Sequence, residues 1–318
     1  MKICCIGDLC ADLLIPYGEV KKHLKNLQTG ALGCSEVLFQ YGGTCGNTSA
    51  VLAKLGARPY FVTDLCGDRI GRSLKESMEA LGVDLSLSVE NPNKSNMICI
   101  AVIEEDKERV MFPWLPPGSD YPKFSQENLS LLKDEAMIVL VGGMVMNNDR
   151  ASMNAVIEKA ERLKEAGSTV VFDLNCRAET YGMNSERRQA YERMIRTSDI
   201  ILGSGVEEFF PVTGELTMER AIARMQKDCP VIIFRDGRKP VHIYDHDQEI
   251  IVPTDPVFVI TTIGAGDTFN AGFLYALNEG LSIENCVRFA NYVAGYMIST
   301  PGHLAVPPDA HERLNALR

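Results

Sequence analysis

Short apolar runs alternate with amphipathic helical patterns along nearly the whole chain, and this rhythm constrains the fold more than any single motif does. Ala136–Val141, Thr169–Asp173, Ile200–Leu202 and Val231–Phe234 read as buried strands. Between the first two lies Asp149–Gly167, where Met153, Val156, Ile157, Ala160 and Leu163 recur at helical spacing. Asp149 suits the start of that helix and Gly167 its end. Strand, helix, strand in this order implies a parallel sheet with helices on its faces, an α/β fold.

Two segments break the rhythm. Asp12–Tyr41 has strand-like ends, Leu13–Tyr17 and Glu36–Tyr41, around a polar, Lys-rich middle. Met97–Trp114 reads as a hairpin, with Met97–Ile103 and Arg109–Trp114 flanking a charged turn, Glu104–Glu108. Neither holds a good crossover helix. Together they read as a small β-subdomain, lid segments of about 12–41 and 95–118 inserted in one domain of residues 1–318. A flap of this kind closes over substrates in many enzymes.

Composition narrows the classes. The 318 residues are 46% hydrophobic and 23% charged, the balance of a globular protein able to bury a core without staples. A net charge of −10 argues against a nucleic-acid partner. No apolar stretch approaches the roughly 20 residues that span a bilayer, so no membrane partner is expected. Ile3 already opens an apolar run with no basic segment before it, so no secretory signal is expected either. The ten cysteines include no Cys-x-x-Cys pair and fall largely in apolar runs, as reduced thiols of a cytoplasmic protein would.

The sharpest local feature is Thr261-Thr262-Ile263-Gly264-Ala265-Gly266-Asp267. A β-like run, Val257–Ile260, precedes it, and a helical pattern follows, with Phe269, Phe273, Leu274 and Leu277 on one face and Gly280 as the stop. Small residues let backbone N–H groups approach an anion, and a helix N-terminus adds partial positive charge. An Asp there repels the same anion unless its task is to accept a proton. The carboxylate of Asp267 is thus a candidate base for an attacking hydroxyl, and the amides of Ala265, Gly266 and Asp267 face the transferring phosphoryl group. The competing reading is an Asp N-cap after a glycine turn. No Gly-Lys pair of a Walker A loop and no Gly-x-Gly-x-x-Gly fingerprint is present.

The loop has company. Gly264-Ala265-Gly266-Asp267-Thr268-Phe269, followed by Ala271-Gly272-Phe273, resembles the C-terminal signature of ribokinase-like (PfkB-type) sugar kinases. Gly42-Gly43, Asn47 and Ala50–Gly56 are similar to the N-terminal signature; Ile6-Gly7-Asp8 with Asp12, Gly67–Gly71 and Pro301-Gly302 also agree in order and spacing. The resemblance covers essentially the whole chain. It implies a three-layer α/β/α sandwich with a mostly parallel central sheet and a small inserted β-sheet lid.

It also implies roles. Asp12, Asn47 and the Gly42-Gly43 backbone would bind sugar hydroxyls, Asp267 would deprotonate a primary hydroxyl, and Gly264–Gly266 would form the anion hole. Glu208 matches the glutamate that orders water around Mg²⁺, and Asn291 a residue lining the adenine site, so ATP and Mg²⁺ are the implied cofactors. Asp173-Leu174-Asn175-Cys176-Arg177 resembles a stretch of the fructokinase and 2-keto-3-deoxygluconate kinase branches. Asn175 is assigned to the nucleotide on this basis. Arg177 and Arg109 are assigned to the substrate, where a sugar acid needs a cation for its carboxylate. The lid strands, as an exposed sheet edge, are expected to pair in a homodimer. Local alternatives stand beside these roles: Asn47 as the cap of a helix over Thr48–Leu55, and Arg177 as a solvated loop cation.

Three positions depart from the family pattern. Gly205, beside Ser204, stands where the family has an Asn that positions Mg²⁺ and phosphate. In the nucleotide loop Arg235-Asp236-Gly237-Arg238-Lys239-Pro240 only Gly237 is kept, and Arg235 offers a charged phosphate contact in place of a threonine hydroxyl. Thr261 replaces an Asp associated with a monovalent cation, so K⁺ activation is not expected. These changes motivate a competing reading, a sugar-binding protein without kinase activity; a nucleoside kinase of the same family is another.

Overall fold

The computed structural model describes residues 1–16, 37–103, 109–115 and 122–318. Its strands are β1 (Ile3–Ile6), β2 (Cys10–Pro16), β3 (Leu38–Gly42), β4 (Tyr60–Val62), β5 (Asp64–Cys66), β6 (Val89–Asn91), β7 (Ile98–Ile103), β8 (Arg109–Trp114), β9 (Ile138–Gly142), β10 (Thr169–Asp173), β11 (Ile200–Ser204), β12 (Val231–Arg235), β13 (Val241–Asp245) and β14 (Gln248–Val252). The helices are α1 (Thr44–Lys54), α2 (Arg69–Ala80), α3 (Gln126–Leu129), α4 (Arg150–Glu165), α5 (Ala178–Tyr181), α6 (Ser185–Thr197), α7 (Gly205–Thr213), α8 (Met218–Met225), α9 (Ala265–Asn278), α10 (Ile283–Ser299) and α11 (Ala310–Asn315).

The large sheet runs β14-β13-β12-β11-β10-β9-β1-β4, parallel throughout except for the antiparallel pairs β12–β13 and β13–β14. Its central strands β1, β9 and β10 are apolar on both faces because helices cover both. Ile3, Cys5, Ile138, Leu140, Val171 and Leu202 pack with residues of α1, α9 and α10. Their neighbours Cys4, Ile6, Val139, Val141, Val170 and Phe172 pack with residues of α4, α6 and α8. The period-2 alternation of a strand thus feeds two cores, and the layers are α/β/α.

Local chemistry sets the helix ends as the sequence suggests. Asp149 caps α4, its carboxylate accepting the N–H of Ser152 at 2.9 Å, and Gly167 takes a left-handed φ of 88° just beyond the helix. The run Val257–Ile260 corrects an expectation: it is not a strand. None of its residues pairs with a strand, and Phe258 is 82% exposed. The segment is tied instead to the end of α10, where the carbonyl of Ile298 accepts the N–H of Ile260 at 2.7 Å.

A smaller sheet, β3-β2-β7-β8, stands apart from the large one. β2 follows β1 after three residues, so one continuous stretch of chain links the sheets. Register sorts its side chains. Asp12, Cys99 and Pro113 share one face with Cys10, Met97 and Met111; Phe39, Leu13, Ile100 and Phe112 form a row on the other. The middle of the 12–41 segment and the 104–108 turn lie outside the described residues, as does the side chain of Arg109.

Candidate active site

Two cavities meet at the first turn of α9. One, of about 500 Å³, lies between the small sheet and the carboxyl ends of the large-sheet strands; Asp12, Gly43, Asn47, Arg177, Gly264 and Asp267 line it. The other, of about 460 Å³, lies on the far side of the glycine turn; Gly237, Asn291, Ala265 and Gly266 are among its walls. Successive residues of one turn therefore face different spaces: Gly264 and Asp267 the first, Ala265 and Gly266 the second.

The turn is shaped by glycine. Gly264 has a φ of 81°, and a Cβ there would lie 2.5 Å from the Leu304 side chain. It precedes the helix, so Ala265, Gly266 and Asp267 are the first three helical residues, whose N–H groups have no acceptor within the helix. A Cβ on Gly266 would meet only the Arg235 Nη1, at 3.8 Å, so the approach to this backbone is open. Asp267 is not an N-cap. Its carboxylate accepts a hydrogen bond from Asn47 Nδ2 at 2.7 Å, across 220 residues of sequence. Burial pushes its carboxyl up to about 7, helped by the negative charges of Asp173 and Asp8, while the Asn47 bond and Arg177 oppose the shift.

Asn47 lies inside α1 and does not cap it. Its side-chain oxygen is buried with no partner, as is Asp8 Oδ1; the other Asp8 oxygen accepts the Thr44 N–H at 3.1 Å. Two orphaned acceptors beside one cavity are suited to hydroxyl donors. Burial also pushes the Asp8 carboxyl up. Asp12 is buried and lines the same cavity, with Cys10 Sγ 3.4 Å from its Oδ1. Gly42 is required beneath it, since a Cβ there would lie 2.3 Å from the Asp12 carboxyl carbon. Gly43 adopts a φ of 88° against the Asp8 carbonyl. Arg177, in a left-handed conformation at the start of α5, draws down the carboxyls of Asp8, Asp173, Glu208 and Asp267 alike, which puts its charge near the junction of the cavities.

Two residues assigned to the nucleotide have side-chain partners inside the protein. Asn175, assigned to the nucleotide, lines the first cavity and donates to Thr44 Oγ1. Its backbone φ of 28° turns the chain back toward α1. Arg235, expected to meet phosphate, has its guanidinium engaged inside the protein: Nη1 donates to Gly266 O at 3.0 Å and Asn270 Oδ1 at 2.8 Å, and Nη2 to Asp173 Oδ1 at 3.2 Å. Arg235 nevertheless lines the second cavity, as do Gly237, with a φ of 56°, and Asn291, whose Nδ2 donates to Pro253 O at 3.3 Å.

Glu208 accepts the N–H of Ser204 at 2.7 Å. Its carboxyl is pushed up to about 8 by burial and by the neighbouring Asp173 charge. Two neighbouring carboxylates that repel one another suit a hard cation bound through oxygen. Among the described residues no cluster of three or more ligating side chains exists, so such an ion would complete its shell with water and phosphate oxygens.

Sequence reasoning passed over several residues of the first cavity. Asp8 carried a signal, its place in the Ile6-Gly7-Asp8 motif. Cys10, Met97, Cys99 and Met144, which form a small apolar cluster there, carried none, because each reads as ordinary core until the strand register is known.

The profile of pfkB family carbohydrate kinases matches residues 1–310. The chain belongs to this family. It is 24% identical to the 5-dehydro-2-deoxygluconokinase of Lacticaseibacillus casei over 265 residues, 81% of this chain and 80% of the relative. It is 26% identical to the aminoimidazole riboside kinase of Salmonella typhimurium (strain LT2) over 313 residues, 96% and 92% of the two chains. The fold superposes on a fructokinase from Xylella fastidiosa with bound ATP, with a TM-score of 0.80 and 22% identity over 99% of this chain and 98% of that one. The protein is thus a carbohydrate kinase with the ribokinase-like fold. No helix among the described residues of this kinase is long and apolar enough to cross a membrane.

Proposed function

We propose that the kinase transfers the γ-phosphoryl group of ATP to a primary hydroxyl of a small sugar or sugar acid, with Asp267 as general base. The observation that carries this reading is the division of one helical turn between two cavities: the carboxylate of Asp267 on one side, the backbone at Ala265 and Gly266 on the other. An acceptor and a phosphate donor bound in the two spaces meet in line across it.

In the proposed step, Asp267 takes the hydroxyl proton as the sugar oxygen forms its bond to the γ-phosphorus. The bond from that phosphorus to the β,γ-bridging oxygen breaks, ADP leaves, and the proton passes from Asp267 to water. A carboxyl titrating at about 7 is matched to this task near neutral pH. The N–H groups of Gly266 and Asp267, joined by that of Ala265 when it leaves the Thr262 carbonyl 3.3 Å away, stabilise charge spreading over the phosphoryl oxygens. Asp12, Asn47 and the Gly42-Gly43 backbone hold the sugar, with Asp8 beside them, and Arg177 receives a carboxylate or the phosphoryl group. Gly237 and Asn291 line the nucleotide space. Glu208 would hold Mg²⁺ through water, and the ion when bound neutralises the ATP phosphates.

The small sheet serves as the lid over the sugar. Its outer row leaves Phe39 and Phe112 about half exposed, at 50% and 52%, which supports a second copy of the chain as their cover; light scattering showing only monomer at micromolar concentration removes that part. The nine described cysteines are all free and buried, in keeping with action in the cytoplasm.

A second reading of the acceptor, a riboside bearing an apolar base, is favoured by one observation: Cys10, Met97, Cys99 and Met144 give the sugar-side cavity an apolar wall. The test for both is ADP release from Mg-ATP with fructose, ribose, tagatose, 2-keto-3-deoxygluconate and adenosine in turn. Turnover that requires one of the plain sugars or the sugar acid supports the main reading, and a higher kcat/KM on adenosine supports the second. Sugar binding by calorimetry without ADP release on any of them contradicts both.

A further inference from the structure

Arg235 ends β12, where a cation is ordinarily solvated, yet it is only 8% exposed. Its donors reach three separate elements. Gly266 and Asn270 belong to α9, Asp173 ends β10, and the Gly203 carbonyl on β11 lies 3.4 Å from Nε. The guanidinium carbon also sits 4.9 Å from the centre of the Phe269 ring. Arg235 therefore staples the first turn of α9 to the carboxyl edge of the sheet.

The contact at Gly266 has a consequence at the next residue. The carbonyl of Gly266 and the N–H of Asp267 belong to one planar trans peptide, so they point in opposite directions. Holding the carbonyl from behind fixes where the Asp267 N–H points. A charged donor on that carbonyl also polarises the peptide and strengthens its N–H as a donor. We propose that Arg235, although it lines the second cavity, is a positioning residue that orients and polarises the Gly266–Asp267 peptide for the phosphoryl group through its contact with the Gly266 carbonyl, and not a phosphate ligand. The neutral partner Asn270 and the buried carboxylate of Asp173 hold the fork in register, which a lysine could not satisfy at both ends.

This inference rests on reading the turn as the phosphoryl-holding element, and the experiment separates the two. ADP release from Mg-ATP is measured with whichever acceptor of the panel above turns over, for wild type, Asp267→Asn, Arg235→Lys, and Arg235→Met combined with Asp173→Asn. The last pair removes both buried charges together, so neither is left unpartnered, and Asp173→Asn alone is measured beside it to subtract the effect of the carboxylate next to Glu208. Thermal melting verifies that each variant is folded.

The expected result is a kcat lower by about 10–100-fold in both Arg235 variants, with KM for ATP within about threefold; the scale is set by the roughly 10²–10³ lost on removing one oxyanion donor. An amide proton signal of Asp267 that moves upfield in both variants supports the same orientation and polarisation without any turnover. Unchanged kcat in folded Arg235→Lys and in the double variant, while Asp267→Asn is inactive, overturns the clamp but leaves the turn's role intact. A tenfold rise in KM for ATP at constant kcat also overturns it, because that is the signature of a phosphate ligand. Full turnover by Asp267→Asn instead removes the reading beneath the proposal.

Discussion

The two cavities differ in charge although one helical turn separates them. On the sugar side Asp8, Asp12, Glu179 and Asp267 face a single cation, Arg177, among the described lining residues. On the nucleotide side the lining carries Arg235 and Arg238 against Asp255, with Val241, Val257, Val259 and Ile298 supplying apolar surface. Hydroxyls are donors and seek carboxylates and amide oxygens; phosphates seek cations and N–H groups, and a base needs an apolar wall. In the proposed reading the acids of the first cavity gather where hydroxyls bind, and the second cavity offers an anion Arg235, Arg238 and the backbone of the turn.

That contrast can be broken in four ways, taken from the largest effect to the smallest. Asp267→Asn should lower kcat by about 10²–10⁴-fold and leave KM for ATP within a few-fold, since it removes the base without touching the nucleotide space. Steady-state kinetics in both substrates check this, and near-normal turnover would mean the carboxylate is not the base. Asp12→Asn should raise KM for the sugar by about 10–100-fold, the worth of one or two hydrogen bonds to a charged group, with KM for ATP unmoved. A change in the ATP constant instead would join what the comparison keeps apart.

The next effect concerns pH. The Asp267 carboxyl, raised to about 7, must be ionised to accept a proton, so activity should fall as pH drops through that value, by about tenfold at pH 6. Asn47→Ala should move this acid limb to higher pH, because the Asn47 hydrogen bond favours the ionised form. A kcat/KM profile flat from pH 8 to 5 would contradict the assignment. The smallest effect is on stability. A carboxyl whose folded value lies above the unfolded one, about 4, is a burden once ionised: the burden is absent below pH 4 and complete above about 7. Asp267→Asn should therefore melt a few degrees higher than wild type at pH 8, with the gap closing toward pH 4. An equal gap at both pH values would locate the effect elsewhere.

Much of this arrangement is legible in the sequence, and what is not has identifiable causes. Asp12, Asn47 and Asp267 are far apart in the chain, yet the family resemblance assigns them to one site. They meet because β2 of the small sheet and the first turns of α1 and α9 border one cavity. The α4 caps are legible because a cap is local, needing only Asp149, Ser152 and Gly167. Val257–Ile260 misleads because β-propensity makes no strand without a neighbour to pair with. Asn175 lines the first cavity because two residues of positive φ, at 175 and 177, turn the segment toward α1, which no local pattern announces. Arg235 is the instructive case. An arginine in a nucleotide loop reads as a phosphate contact, and its burial shows only when Asp173, Gly266 and Asn270 converge from 62, 31 and 35 residues away.

The most direct test is a crystal structure of the kinase with a non-hydrolysable ATP analogue and the acceptor that turns over in the panel. The account predicts the primary hydroxyl in the first cavity, within about 2.6–3.2 Å of the Asp267 carboxylate, and the γ-phosphate on the Ala265–Gly266 side of the same turn. An acceptor whose hydroxyls all lie away from Asp267, or a γ-phosphate outside reach of that turn, would contradict it.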